Sequence, residues 1–446
     1  MAMSLALVLI LGASIGSAAA PSPSLSNDII LVGNGGAGAN NIKVVDVDAM
    51  ATVNTIAGGT SLANNHGTLL DASGRYLYNT NNSLAAGKTR ITKFDLGTLS
   101  EVAVFDGLSA SGALTSGACG IEWTQNDAST GKMWVTSMSA GTANGGLYEV
   151  DQTTGFTGRF VDNTAGADNG ATCGIGWNTS GSLAYAAAMT AMKTTQVTNL
   201  SSGTPALGAT ALSTTGLHML TVDKAAGITY VAAGKNAANN GYIDIIDNST
   251  MTVVNHYRTG LTSQPHDVRI SDDGAFLYAH SRFGATATPS TGNSGILYIY
   301  DITAKTAPVL VGTIADEGTS TTSCGTELLS KSTYCGSPSL SLSKTGVRWA
   351  TYADYTARQL TVDYSVGNSG INANTVAIAG STSTNGVTLA TATPVAVGNI
   401  ATGGSAAVSL KYNVPVSVGS FFSTTYATAK DLCNNSYAYP GAYPGA

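Results

Sequence analysis

Five histidines and five cysteines are spread over the 446 residues, and most of them share one place in a repeated pattern. Counted eight residues back from the glycine of a recurring polar turn, the chain holds His66 before Gly74, Cys173 before Gly181, His266 before Gly274 and Pro338 before Gly346. Two repeats have longer turns, and there the matching strand starts hold Cys119 and His218. If equivalent repeat positions lie on one ring, three imidazoles and two sulfurs converge from distant parts of the chain. Imidazole and thiolate together suit a transition metal, copper above all. His280, Met138 and Met189 fall at or just past the ends of second strands that return to the same face, where they could add ligands. The metal set read from the sequence is therefore His66, His218, His266 and His280.

The same residues also carry a structural reading. Cys119-Gly120-Ile121-Glu122-Trp123 and Cys173-Gly174-Ile175-Gly176-Trp177 are near-copies in adjacent repeats. In an oxidising compartment two such thiols form a disulfide, Cys119–Cys173. Cys324 and Cys335 flank a glycine-containing loop and are expected to form a second, leaving Cys433 free or intermolecular. Histidines at strand starts can bond a neighbouring backbone without any metal, and His256, in an outer strand, reads as a surface residue.

The elements that position these residues are short strands. Asp71-Ala72-Ser73-Gly74, Asn178-Thr179-Ser180-Gly181, Ser271-Asp272-Asp273-Gly274 and Ser343-Lys344-Thr345-Gly346 are polar turns between apolar strands, with weaker copies ending at Gly131 and Gly227. Glycine tolerates the positive φ such turns use. A third strand follows and ends on an acid at Asp46, Asp95, Asp151, Asp247 and Asp301, and a fourth strand comes after it. Repetition of the acid in every unit reads as turn capping, not calcium binding. Intervals of about 45–55 residues and four strands per unit make the blades of a β-propeller. Seven second strands, the last at Val347–Thr351, favour seven blades with the first and last sharing strands; only six innermost strands are evident, so six is the alternative.

Residues 28–356 resemble the propellers named for a Tyr-Val-Thr-Asn repeat, found in secreted and cell-surface proteins, with Pro265-His266-Asp267-Val268 as the nearest match. The resemblance implies a fold and is nearly silent on activity. The histidines at blade starts are similar in concept to those holding copper in nitrous-oxide reductases. That family has a fuller histidine set and a cupredoxin domain, and no Cys/His/Met copper loop follows residue 356, so its activity is not implied.

From Arg358 the pattern changes. Residues 358–437, with Gly367-Asn368-Ser369-Gly370 and Gly403-Gly404 at strand ends, resemble the immunoglobulin-like modules of bacterial secreted proteins. The repetitive tail 438–446 is expected to be flexible. Residues 1–20 read as a signal peptide, with an apolar run from Leu5 and cleavage near Ala18–Ala20, although no Lys or Arg precedes the run. No later segment is long and apolar enough to cross a membrane.

Only 10% of residues are charged and the net charge is −6, with no cluster of Lys and Arg, which excludes nucleic acid as a partner. Abundant glycine (53) and the lack of helical periodicity place the chain in the all-β class. Nucleophile-elbow, Walker, His-Glu-x-x-His and Cys-x-x-Cys motifs are missing. Acids near the central funnel are few, Glu122 and Asp267, which leaves little acid–base equipment. The chain reads as a secreted or surface (extracellular or periplasmic) binding protein that engages a ligand, glycan, protein or copper-like metal at the funnel. The alternative is a metal-dependent lyase, lactonase or copper redox enzyme working at the same place.

Overall fold

The structure, a computed structural model, describes residues 28–444 apart from 37–38, 58–64, 82–89, 107–116, 138–145, 163–171, 190, 236–240, 260–263, 284–295 and 316–322. The expected leader, residues 1–20, and Met138 lie outside the described residues.

Between Asp28 and Ser330 the described residues build six four-stranded antiparallel sheets. Five are continuous in sequence, and their first strands are Asn65–Leu70, Ala118–Trp123, Thr172–Trp177, Gly216–Asp223 and Gln264–Ile270. The remaining sheet, the first along the chain, is composite: Ser323–Ser330 pairs antiparallel with Asp28–Gly36, so the end of the ring completes the sheet that began it. Turn glycines Gly74, Gly131, Gly181, Gly227 and Gly274 have φ between 65° and 69°, a left-handed conformation that a side chain resists. These five mark the five continuous sheets.

Packing follows from the two-residue period of the strands, which sends alternate side chains to opposite faces. In the first sheet Ile29 and Leu31 pack with Leu77 and Phe94 of the second, whereas Ile30 and Val32 pack with Phe276 and Tyr278 of the sixth. Each of the other junctions has its own cluster, such as Tyr78 with Trp123 or Trp134 with Trp177. Six sheets with six apolar junctions close a ring with no free inner edge, and this is a β-propeller. The acids at strand ends cap turns as expected: Asp95 accepts from the Gly97 amide, Asp247 from Ser249 and Thr250, Asp301 from Thr303. The Ser249 hydroxyl and the turn amides hold the exposed carboxyl of Asp247 below the ordinary range, and the Thr303 amide and hydroxyl do the same for Asp301.

The seventh unit of the sequence reading does not form. Leu340–Arg348, which contains Gly346 and the start of the supposed second strand, pairs with Gln359–Asn368 in a different sheet. The boundary expected at residues 356–358 therefore moves forward, to the segment around Pro338. A strand of alternating Leu and Ser serves a blade or a sandwich equally well, so periodicity alone could not place it.

Residues from Leu340 onward form two four-stranded sheets that face each other across one core, with Val362, Tyr364, Val366, Leu410 and Tyr412 from one sheet and Ile378, Ala427 and Ala429 from the other. Asn368 organises one end. Its buried amide accepts from Ser339 and Gly370 and donates to the carbonyls of Ile371 and Ile400. The tail expected to be flexible is partly structured: Ser436–Tyr439 adds an edge strand to Ser423–Lys430, and Tyr443 packs against Tyr426.

The second disulfide also differs from expectation. Cys335, at the end of the short helix Lys331–Cys335, is bridged to Cys433 and not to Cys324, with Cα atoms 5.1 Å apart. The closing strand runs straight into this helix, which delivers Cys335 to Cys433 in the turn between Ser423–Lys430 and Ser436–Tyr439. Cys433 is thus not the odd cysteine.

Candidate functional site

The inner strands all run the same way through the ring, so their starts share one face. Each is irregular at the same point. Register breaks fall between Asn65 and Thr68, Ala118 and Ile121, Thr172 and Gly174, Leu217 and Leu220, and Pro265 and Asp267. A bulge leaves one residue unpaired and re-aims its side chain. His66, Cys119, Cys173, His218 and His266 sit in these breaks.

Glycines at the break let neighbouring strands crowd together. A Cβ on Gly67 would fall well inside contact distance of the Cys119 carbonyl oxygen, and one on Gly120 would meet the Cys173 oxygen in the same way. Second-strand threonines lock the spacing. Thr136 Oγ1 accepts from the Gly120 amide at 2.6 Å and donates to the Cys173 carbonyl at 2.7 Å; Thr80 does the same between Gly67 and Cys119. Between the sixth sheet and the closing strand Asp267 takes over, accepting from the amides of Val268 and Thr326.

The three expected histidines do meet. The His66 and His266 rings are 5.0 Å apart between centroids, and those of His218 and His266 4.4 Å. All three are buried. Cys119 and Cys173 are bridged, with Cα atoms 5.0 Å apart, and Met189 and Met219 pack on the bridge. The bridge withdraws both thiols from any ligand set. His280 lies directly opposite Asp267 on the neighbouring strand, and burial depresses its proton affinity to about 3. Among the described residues no three His, Cys, Asp or Glu side chains are grouped so as to hold an ion. His256 is far from this ring, in the outer strand Thr252–Arg258, stacked on Tyr242 and paired with Asp244.

Three residues further along the inner strands, about 10 Å deeper, the channel holds charges that the sequence reading saw only in part. Arg269, itself buried, donates through Nε to the Thr326 carbonyl at 2.6 Å and through Nη2 to that of Thr68 at 3.3 Å. Its guanidinium stands 3.4 Å from Glu122 and 3.7 Å from Glu327. Burial raises both glutamates, Glu327 to about 7, against the opposing pull of Arg269. Beyond them the channel opens into a funnel of about 520 Å³ rimmed by Lys224, Asp272 and Asp273. Arg269 and Glu327 were missed although the signal was present for the first: Glu122 follows Cys119 by three residues, and Arg269 follows His266 by three.

No protein-family model matches the chain, and no curated protein matches it. Solved structures similar to it include one described as a nidogen/laminin complex, at 14% identity and TM-score 0.47, covering 68% of this chain and 99% of the other. A Bacteroides fragilis protein crystallised as a candidate 6-phosphogluconolactonase matches at 12% identity and TM-score 0.47, covering 70% and 100%. The β-propeller domain of Myceliophthora thermophila Swd1 matches at 12% and 0.41, covering 74% and 88%. Likeness this distant carries no statement about activity.

Proposed function

We propose that this is a secreted or cell-surface binding protein, a six-bladed propeller of the Tyr-Val-Thr-Asn type carried on an Ig-like module, that holds a copper-like metal ion at the narrow end of its channel. The observation that carries the reading is the meeting of His66, His218 and His266, three buried imidazoles brought together from three blades. Imidazole at such density is a costly way to fill a core, since each ring brings two polar nitrogens that need partners. It is an economical way to present nitrogen donors to a borderline cation. The bridge between Cys119 and Cys173 supports an oxidising compartment. The funnel at the other end, with Glu122, Arg269 and Glu327, is where an extracellular ligand, glycan or protein segment would enter.

The test is metal content. Purified protein incubated with copper and desalted is expected to retain one equivalent, and the His66→Ala/His266→Ala variant none. Equal substoichiometric metal in both would end the reading and leave the imidazoles as packing.

A further inference from the structure

Two cavities lie where the propeller meets the sandwich, and they share no lining residue with the funnel. The first, of about 230 Å³, is walled by Leu96, Leu329 and Tyr334 on the ring side and by Ile371 and Leu432 on the sandwich side. The second, of about 270 Å³, adjoins it at Gly97 and Leu432 and is lined by the amides of Asn372, Asn374 and Asn399. The Cys335–Cys433 bridge holds the two domains around this gap, and the Leu432 amide donates to the Cys335 carbonyl beside it at 3.4 Å. The space is therefore preformed, which lowers the ordering cost of filling it. An apolar cavity of ~150 Å³ already takes a benzene-sized guest.

The polar groups of the cleft sort by kind. Asn372 is only 4% exposed. Its Oδ1 accepts from the Thr402 amide at 3.1 Å and hydroxyl at 3.4 Å. Its Nδ2, which a Cβ on Gly97 would approach to 2.8 Å, donates to no group among the described residues. Arg75 is the one charged residue among the described residues lining either cavity, and Asp95 takes its Nε and Nη2. Asp95 is in turn occupied by Arg75 and by the Gly97 amide. A cation finds no open carboxylate here, and an anion would meet Asp95. What the cleft lacks is an acceptor for a buried donor, and such a donor costs free energy until it is matched.

We infer that this interdomain cleft binds a small neutral molecule, about the size of one substituted aromatic ring, that carries a carbonyl acceptor. The apolar body lies among Leu96, Leu329, Ile371 and Leu432, and the carbonyl oxygen accepts from Asn372 Nδ2. A guest that touches both domains binds only their docked arrangement, and so stabilises it. The site is independent of the metal reading above.

Acetophenone is the probe, with ethylbenzene as the same shape without the acceptor and benzoate as the anion. Saturation-transfer NMR titrations on the full chain with both disulfides intact are expected to show acetophenone bound and benzoate not. Asn372→Asp keeps the oxygen that Thr402 uses and turns the donor into an acceptor. It should weaken acetophenone by about tenfold or more and leave ethylbenzene unchanged. Ile371→Trp, at an exposed position on the rim, fills the apolar cavity and should abolish binding of both. No acetophenone bound by the wild type, or binding that Ile371→Trp leaves unchanged, overturns the site. Benzoate bound as tightly as acetophenone, or both neutral probes weakened alike by Asn372→Asp, overturns the ligand class. If Asn372→Asp does not fold, Ile371→Trp and the benzoate titration decide alone.

Discussion

Replacing Glu327 with glutamine isolates the electrostatic cost of the channel charges. The carboxyl would titrate near 4.5 in the unfolded chain and is held up to about 7 in the fold, because burial outweighs the attraction of Arg269. Between those values the folded state keeps a proton that the unfolded chain has released, so stability falls as pH rises through the window. Below it the carboxyl is protonated in both states and the penalty vanishes; above it the full penalty is carried. At about 1.4 kcal/mol per tenfold in proton affinity the penalty approaches 3 kcal/mol, roughly. Glutamine mimics the protonated carboxyl at every pH. Glu327→Gln should therefore match the wild type near about pH 4 and exceed it by up to about 3 kcal/mol near about pH 8. Urea unfolding followed by tryptophan fluorescence is the assay, since Trp123, Trp134 and Trp177 lie in the ring and only Trp349 lies beyond it. Parallel pH profiles would refute the argument. A variant less stable than wild type at high pH would show instead that ionised Glu327 is a net stabilising partner of Arg269.

Non-reducing peptide mapping should recover Cys119–Cys173 and Cys335–Cys433 with Cys324 alkylated; a Cys324–Cys335 peptide would contradict the structure. Gly120→Ala drives a methyl into the Cys173 carbonyl oxygen and should cost about 1–3 kcal/mol or more, read as a lowered unfolding midpoint. Asn368→Ala strands the buried partners of one amide and should destabilise the sandwich by about 2–3 kcal/mol, read by calorimetry against a surface control such as Val416→Ala.

Much of this fold can be read from the chain because its information is local. The hairpin glycines that mark the five continuous sheets, Gly74, Gly131, Gly181, Gly227 and Gly274, all adopt positive φ. Counting back from them leads directly to His66, Cys173 and His266, and to Cys119 and His218 once longer turns are allowed. Counting fails where the architecture stops being local. The closing strand has no hairpin after it; the helix Lys331–Cys335 follows instead, so counting back from Gly346 reaches Pro338, which lies outside the ring. The His-Gly and Cys-Gly pairs are the better signal for the closing strand, because a Cβ on Gly325 would meet the His66 carbonyl oxygen much as one on Gly67 would meet that of Cys119. Cys335 and Cys433 could not be paired from sequence, since what joins them is the docking of one domain on another. Arg269 was legible from its offset, three residues after His266 as Glu122 is three after Cys119, whereas its partners across the channel come from other blades and were not.

The composite first sheet has a consequence for how the chain comes into being. A ribosome that has released Asp28–Gly36 has made a strand whose inner partner lies at the far end of the ring sequence. Until Ser323–Ser330 emerges, the first sheet is three strands with one open, apolar-flanked edge, and the growing ring is an arc with two exposed ends. The same closing strand from another nascent chain could occupy that edge. Secretion, crowding and translation speed would then decide between a closed monomer and a strand-exchanged dimer. Asp28 and Ser330 face each other across the seam, so a short turn could join them. A propeller detached from the sandwich, joined there and opened instead at the exposed turn Thr153–Thr154, would make the seam an ordinary hairpin. Its two strands would be neighbours from the start, and the loop that must close to pair them would shrink from nearly the whole ring to a few residues.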